Sequence, residues 1–191
     1  MLSGRRLDLL EPSPADIEIE DIAHGLARVA RWNGQTTGAH ALSVAQHVLI
    51  VEEIASALSP DWGNEWRLAA LLHDAPEYVI GDLISPFKAA VGLNYKAFEA
   101  KLLAAIHARF SLSFPLPAHV QAAIKTADRM AAYYEATILA GFAKSEAVQF
   151  FGQPEGLPSA LDDALMRLTP WPAEHAQSVF KKRFLQLSVL A

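Results

Sequence analysis

The stretch Leu71-Leu72-His73-Asp74-Ala75-Pro76-Glu77 joins an apolar helical segment to an adjacent imidazole and carboxylate. Proline lacks a backbone N–H and disfavours a helical conformation in the residue before it, so we expect a kink or a new short helix at Pro76. By itself the His-Asp pair is also typical of an exposed helix end, with Asp74 as a solvated charge. Its interpretation therefore depends on the rest of the chain.

Around this stretch the apolar residues recur at helical spacing, and no convincing alternation of apolar and polar residues indicates a β-sheet. The predicted helices cover residues 19–31, 39–58, 64–74, 94–110, 117–140, 159–168 and 172–188. Proline and glycine separate them, with predicted loops at 33–38, Gly81-Asp82 and Ser85-Pro86. The only strand considered is a short β-ribbon near residues 5–10. We predict an all-α fold: one domain over residues 1–191, a helical bundle with its core at about 19–140 and the C-terminal helices 159–188 packed on it.

The composition limits the classes of function. The 191 residues include no cysteine, which excludes disulfides and thiolate zinc sites, so any metal must bind to histidine and carboxylates. The net charge of −5 gives no electrostatic reason to bind a nucleic acid polymer or an anionic membrane. The N-terminus lacks a hydrophobic signal core, and the apolar runs are too short to span a bilayer. We therefore expect a cytoplasmic protein.

Two further residues give the His73-Asp74 pair a chemical meaning. His47 lies on a preceding apolar helical segment and Asp128 on a later one. Three helices thus offer one imidazole, an imidazole–carboxylate pair and one carboxylate in apolar surroundings, where an unpaired carboxylate is costly. A divalent cation would offset that cost, and no second histidine cluster of suitable spacing is present, so one metal ion is predicted.

The order His47, His73-Asp74, Asp128 resembles the HD superfamily of metal-dependent phosphohydrolases. The likeness covers most of the chain and extends to Asp16–Asp21 (Asp-Ile-Glu-Ile-Glu-Asp), Arg31-Trp32, Ser43–His47, His73-Asp74-x-x-Glu77 and Gly81-Asp82. These motifs are similar to those of one branch of the superfamily, which contains the bacterial 5′-deoxynucleotidases. The resemblance implies an HD-type helical bundle that hydrolyses phosphate esters.

The resemblance also implies roles for individual residues. The implied metal ligands are His47, His73, Asp74 and Asp128. Glu77 and Asp82 correspond to an acidic pair beside the metal, and Arg31 and Trp32 to residues near the substrate phosphate and sugar. Two histidines and two aspartates leave room for two waters or substrate oxygens, which suits Mn, Co, Fe, Ni or Mg better than a closed structural Zn site.

The proposed site residues have competing structural interpretations. Glu77 falls one helical turn after His73 and could hold the attacking water or exchange a proton; the alternative is a salt-bridged surface residue. Asp82 could reach over the pocket as a second acidic group, or form an Asx-turn or helix cap. Arg31 could clamp a phosphate beside Trp32, or simply end a helix next to a core tryptophan.

His40 precedes His47 by seven residues, which is two turns along one face if both lie on the predicted helix 39–58. It could bind a phosphate oxygen, orient a ligand or cap the helix.

The function predicted from these features is metal-dependent hydrolysis of a phosphomonoester, with a nucleoside 5′-monophosphate as the favoured substrate. The alternatives are hydrolysis of another phosphate ester or of a pyrophosphate, and a metal- or nucleotide-binding regulatory domain with little turnover. The expected partners are a small phosphorylated substrate and one divalent cation, without nucleic acid or membrane. Apolar helix faces are compatible with a homodimer.

Overall fold

A computed structural model describes residues 1–83 and 94–188. Within these ranges the chain forms nine α-helices and two short 3₁₀-helices, and its β-structure is limited to a bridge between Ala30 and Ser43. The helices are α1 (Ile19–Leu26), α2 (Val44–Leu58), α3 (Asn64–Leu71), α4 (Glu77–Ile80), α5 (Asn94–Arg109), α6 (Ala118–Ile138), α7 (Lys144–Phe151), α8 (Ser159–Leu165) and α9 (Ala173–Ser188). The 3₁₀-helices span Pro14–Asp16 and Arg31–Gly34. The predicted all-α fold is confirmed, while Ser85-Pro86 lies outside the described residues.

Helix α2 occupies the centre of the bundle. It packs against α6 and α3, while α9 crosses α1, α2 and α3 and thereby closes the core. The largest fully buried apolar side chains are Ile17, Ile22, Leu26, Leu42, Ile54, Leu71, Leu72, Leu102, Ile106, Phe180 and Leu187. Burying each side chain of this size contributes about 1.5–3 kcal/mol. The site residues carried by α2 and α6 therefore lie on two helices that pack against each other.

The predicted start of the second helix at residue 39 is wrong. Helix α2 begins after Ser43, whose Oγ accepts a hydrogen bond from Gln46 N at 3.2 Å and so caps the helix. The residues before the cap are held extended, because Arg31 N donates to Leu42 O at 2.8 Å. The same pairing ends α1 at Leu26 rather than at residue 31.

Other element bounds were predicted with mixed success. Pro76 is followed directly by the short helix α4, as expected, and the preceding residues 72–76 form turns, so α3 ends at Leu71 rather than at residue 74. Residues 5–10 form no strand in the described chain, so the suggested β-ribbon is wrong. Helix α7, which lies between Gly141 and Gly152, was not predicted.

Helices α1 and α4 approach each other unusually closely at Gly25. A Cβ atom at this position would lie 2.7 Å from Tyr78 O and 2.8 Å from Tyr78 Cβ. The missing side chain at Gly25 thus lets the backbone of α4 rest directly on α1. Helix α4 then ends at Gly81, whose φ of 76° lies in the left-handed region that glycine adopts without strain.

Helix α6 is the longest of the described helices, with 21 residues and a length of about 31 Å. Asp128 and Glu135 are seven residues apart on it, close to two full turns, so both face the same side. Within residues 1–83 and 94–188, no helix is both long enough and apolar enough to cross a membrane.

Candidate functional site

The structure brings His47, His73, Asp74 and Asp128 together at the side of α2. His47 comes from α2, Asp128 from α6, and the His73-Asp74 pair from the turn between α3 and α4. His47 Nε2 lies 3.2 Å from Asp128 Oδ1 and 3.5 Å from Asp74 Oδ2. His73 Nε2 lies 3.2 Å from Asp74 Oδ2. Three distant segments of the chain therefore meet at one cluster of nitrogen and oxygen donors.

The orientation of the two imidazoles suits a cation. His47 Nδ1 lies 2.6 Å from Glu135 Oε1, and His73 Nδ1 lies 2.8 Å from Ala70 O. Both partners are acceptors, so each Nδ1 carries a proton, and each ring in its neutral form has its lone pair at Nε2. Among the described residues neither Nε2 has a hydrogen-bond partner of good geometry, although both are buried. A cation between these lone pairs and the carboxylates would satisfy both.

The spacing of the donors supports the same interpretation. One ligand atom each from His47, His73 and Asp128 lies within 4.8 Å of the others, which fits a single divalent ion. Asp74 lies against both imidazoles and is positioned to be a fourth ligand. Imidazole and carboxylate donors without thiolate suit Mn, Co, Fe, Ni, Mg or Zn.

The pKa values in the cluster indicate that its carboxylates are stabilised by nearby positive charge. Burial by itself would raise the pKa of Asp74, but the neighbouring rings of His73 and His47 hold it well below its usual value. Burial would likewise lower the pKa of His47, yet Glu135, Asp128 and Asp74 raise it well above its usual value. A divalent cation would supply the positive charge that these carboxylates require.

Glu77 and Asp82 lie at the two ends of α4, next to the cluster in sequence. Glu77 is the first residue of α4 and is only 2% exposed, so its interpretation as a surface residue is wrong. Asp82 follows the turn at Gly81, and its Oδ2 lies 3.7 Å from Arg31 Nη1. The close contact of Gly25 with Tyr78 holds α4, the helix that begins with Glu77, against α1.

Arg31 and Trp32 are held by a buried carboxylate that the sequence did not reveal, Glu135. Its Oε2 accepts hydrogen bonds from Arg31 Nε at 3.2 Å, Arg31 Nη2 at 3.0 Å and Trp32 Nε1 at 2.9 Å. Trp32 and Asn33 adopt left-handed φ values of 56° and 52°, which turn both side chains of the Arg31-Trp32 pair toward α6. Trp32 also packs edge-on against Phe142 and Phe151, at centroid distances of 5.6 Å and 6.0 Å.

Glu135 could have been suspected from its position. It follows Asp128 by seven residues in the apolar run Ala131-Ala132-Tyr133-Tyr134-Glu135-Ala136, where a lone carboxylate needs partners. Arg31 and His47, on other elements, supply them. Burial by itself would raise the pKa of Glu135, but Arg31 and His47 hold it well below its usual value.

His40 does not share a helix with His47. It lies in an exposed bend before Ser43, outside α2, so the argument from a common helical face is wrong. A contact between His40 and a substrate remains a prediction without support from the helix geometry.

Comparison with known proteins agrees with this arrangement. The family described as HD domain matches residues 44–133, a range that contains His47, His73-Asp74, Glu77, Asp82 and Asp128. The chain belongs to the HD domain family and is thus a member of a superfamily of metal-dependent phosphohydrolases.

Two relatives share nearly the whole chain. An uncharacterized protein of Rhodobacter capsulatus is 57% identical over 176 residues, which cover 92% of this chain and 89% of the relative. The uncharacterized protein YfdR of Escherichia coli strain K12 is 29% identical over 188 residues, which cover 98% of this chain and 94% of the relative. Neither name states an activity, so the substrate has to be inferred from the site.

Proposed function

We propose that this protein hydrolyses phosphomonoesters with the help of one divalent metal ion, and that nucleoside 5′-monophosphates are its favoured substrates. The observation that carries the proposal is the convergence of two buried Nε2 atoms, from His47 and His73, on the carboxylates of Asp74 and Asp128. The guanidinium of Arg31 lies at the edge of the same cluster. A metal ion held by these side chains, with the guanidinium of Arg31 beside it, would form a site suited to a phosphate.

The exposure of the side chains defines the direction from which a substrate can enter. The His47 side chain is fully buried, whereas that of Asp128 is 39% exposed and that of Asp74 is 25% exposed. The cluster therefore opens to solvent on its carboxylate side. A phosphate entering there would meet the metal position first and Arg31 next to it.

Arg31 supports the recognition of phosphate. Two of its N–H groups are directed at Glu135, while Nη1 lies 3.7 Å from Asp82, farther than a hydrogen bond. Within residues 1–83 and 94–188, no hydrogen bond of Arg31 Nη1 is found, so its N–H groups would serve phosphoryl oxygens. Burial by itself would lower the pKa of Arg31, but Glu135, Asp82, Asp74 and Asp128 raise it, so the side chain keeps its charge.

Glu77 is the group proposed to move protons. When bound, a divalent ion would polarise a phosphoryl oxygen and acidify the attacking water. Glu77, buried one turn after His73, would accept the proton of that water or protonate the departing alkoxide. The remaining catalytic effect would come from positioning and from charge stabilisation by Arg31.

The preference for nucleotides is supported by the aromatic side chains next to Arg31. Trp32 and the packed rings of Phe142 and Phe151 form an apolar surface beside the proposed phosphate site. Such a surface suits the sugar and base of a nucleoside, which offer apolar faces and rings for stacking.

The proposal is tested by measuring phosphate release from deoxyribonucleoside and ribonucleoside 5′-monophosphates, simple sugar phosphates and pyrophosphate. Each is offered with Mn²⁺, Co²⁺ or Mg²⁺, and then with excess chelator. We expect release from the nucleoside monophosphates that requires metal and is lost in Asp128→Asn. Activity retained in this variant would point to a contaminating phosphatase.

Other outcomes distinguish the alternatives. Release from sugar phosphates or pyrophosphate alone would support the proposed hydrolase activity but would show that the substrate is not a nucleoside monophosphate. Metal binding without release from any of these compounds would favour a regulatory binding domain over an enzyme.

A further inference from the structure

Glu135 is a fully buried carboxylate that contacts both parts of the proposed site. One oxygen, Oε1, lies 2.6 Å from His47 Nδ1, and the other, Oε2, accepts from Arg31 and Trp32. Its side chain is 0% exposed. It lies beyond residue 133, where the HD domain match ends. The proposed function assigns it no role.

The chemistry of these contacts requires a carboxylate. Arg31 and Trp32 have only N–H donors to offer, so Oε2 must be an acceptor. His47 can present a lone pair at Nε2 as a neutral ring only if Nδ1 carries the proton, so Oε1 must be an acceptor too. A glutamine has one amide oxygen and one NH₂ group, and would therefore place donors against one of the two sets of partners.

We propose that Glu135 is a positioning residue that orients the metal-binding ring of His47 and fixes Arg31 at the phosphate position, with Trp32 beside it. The proposal rests on the metal site and on the phosphate role given to Arg31 above. A carboxylate that accepts from the non-ligating nitrogen of a histidine fixes the tautomer and the direction of the ligating nitrogen. Glu135 would fix the phosphate-binding arginine with its other oxygen, so one side chain sets the distance between metal and phosphate positions.

The outcome of Glu135→Gln can be derived from this arrangement. Its amide oxygen should turn toward the three donors of Arg31 and Trp32, because a charged guanidinium makes the stronger hydrogen bonds. The NH₂ group would then face His47 Nδ1 and require a lone pair there. The proton of the neutral ring would move to Nε2, the atom needed for the metal.

A matched control exists elsewhere in the core. Glu52 is 2% exposed and accepts from Arg67, Arg183 and Ser56, so it resembles Glu135 in burial and in its arginine partners. It is not in contact with the proposed ligands in the described structure. Glu52→Gln therefore measures the general cost of neutralising a buried glutamate in this fold.

The experiment titrates Mn²⁺ into the wild type and both variants by calorimetry, without substrate, and follows unfolding of the same samples in urea. We expect Glu135→Gln to bind Mn²⁺ about 10–100-fold more weakly than the wild type, the usual range for a lost partner of a metal-binding histidine. Glu52→Gln is expected to lose stability but to keep the wild-type affinity. Equal affinity in Glu135→Gln and wild type, or an equal loss in both variants, would overturn the proposal.

A second measurement needs no variant. In Zn²⁺-loaded wild-type protein, ¹⁵N NMR of the histidine rings should show His47 coordinated through Nε2 with its proton on Nδ1. Coordination through Nδ1 would overturn the proposal. Neither test requires substrate turnover. A protein that binds metal but releases no phosphate would therefore refute the proposed function without affecting the role of Glu135 in metal binding.

Discussion

The contact between Gly25 and Tyr78 predicts that a single methyl group will disturb catalysis without touching the metal cluster. In Gly25→Ala the new Cβ would lie 2.7 Å from the backbone oxygen of Tyr78 and 3.1 Å from its Cα. Both are backbone atoms, so a rotamer change of Tyr78 cannot relieve the clash. Helix α4, which begins with Glu77, must move away from α1.

The size of the effect follows from these distances. Ordinary contact begins at 3.4 Å, so the separation must grow by about 0.7 Å, the difference from 2.7 Å. Overpacking of this kind costs about 1–3 kcal/mol, and alanine recovers up to about 1 kcal/mol through its helix propensity. We expect a net loss near 1 kcal/mol, or a Tm lower by about 2–4 °C. A shift of Glu77 by that distance should lower kcat by about 10- to 100-fold.

The assay combines urea unfolding, kcat with the best substrate and Mn²⁺ affinity. Gly63→Ala is the matched control, because a Cβ at Gly63 has nothing within 4 Å. We expect the control to keep wild-type kcat, and Gly25→Ala to keep Mn²⁺ affinity, since the ligands lie outside α4. Wild-type kcat in Gly25→Ala would refute the argument that the α1–α4 contact positions Glu77.

Three further predictions concern single side chains. Asp74→Ala should abolish activity and lose the metal, because it removes the oxygen that lies 3.2 Å from His73 Nε2; full metal content by elemental analysis would contradict this. Glu77→Gln should keep the metal but lower kcat by about 10²-fold or more, since an amide cannot exchange the proton; unchanged turnover would exclude the role. Burial lowers the pKa of His107 in the folded protein. As the pH falls below about 6.5, the unfolded chain therefore binds a proton at this residue more readily than the folded protein does, and the free energy of unfolding falls. Urea unfolding between about pH 7.5 and pH 5.5 should show a steeper fall for wild type than for His107→Gln, and equal slopes would rule this out.

The fold was predictable where local chemistry decides it. Apolar periodicity gave most of the helices, and Pro76 gave the break before α4 because proline acts on its own backbone and on the residue before it. The start of α2 was missed because pairing between residues 29–31 and 42–44 overrides the helical tendency of residues 39–43. That pairing joins segments more than ten residues apart, and such contacts cannot be predicted from the spacing of apolar residues.

The residues of the candidate site were likewise only partly predictable from the sequence. The four predicted metal-site residues, among them His47 and Asp128, do meet, because α2 packs against both α6 and α3, and the His73-Asp74 pair directly follows α3. Glu135 was missed because its partners are side chains on other elements, which the apolar run around it does not identify. Asn33 and Gly34 are typical of a turn, but tryptophan rarely adopts a left-handed φ, so the conformation of Trp32 was not predictable from its residue type.

The seven-residue interval between Asp128 and Glu135 has a consequence for how the length of this protein can change. Each residue of an α-helix is rotated by about 100° from the one before it, so one inserted or deleted residue inside this interval would turn one carboxylate about 100° away from the other around α6. The rest of the helix would lose its buried face at the same time. Length can vary in surface loops such as residues 152–158, but the distance along the chain from Asp128 to Glu135 is fixed by the pitch of the helix.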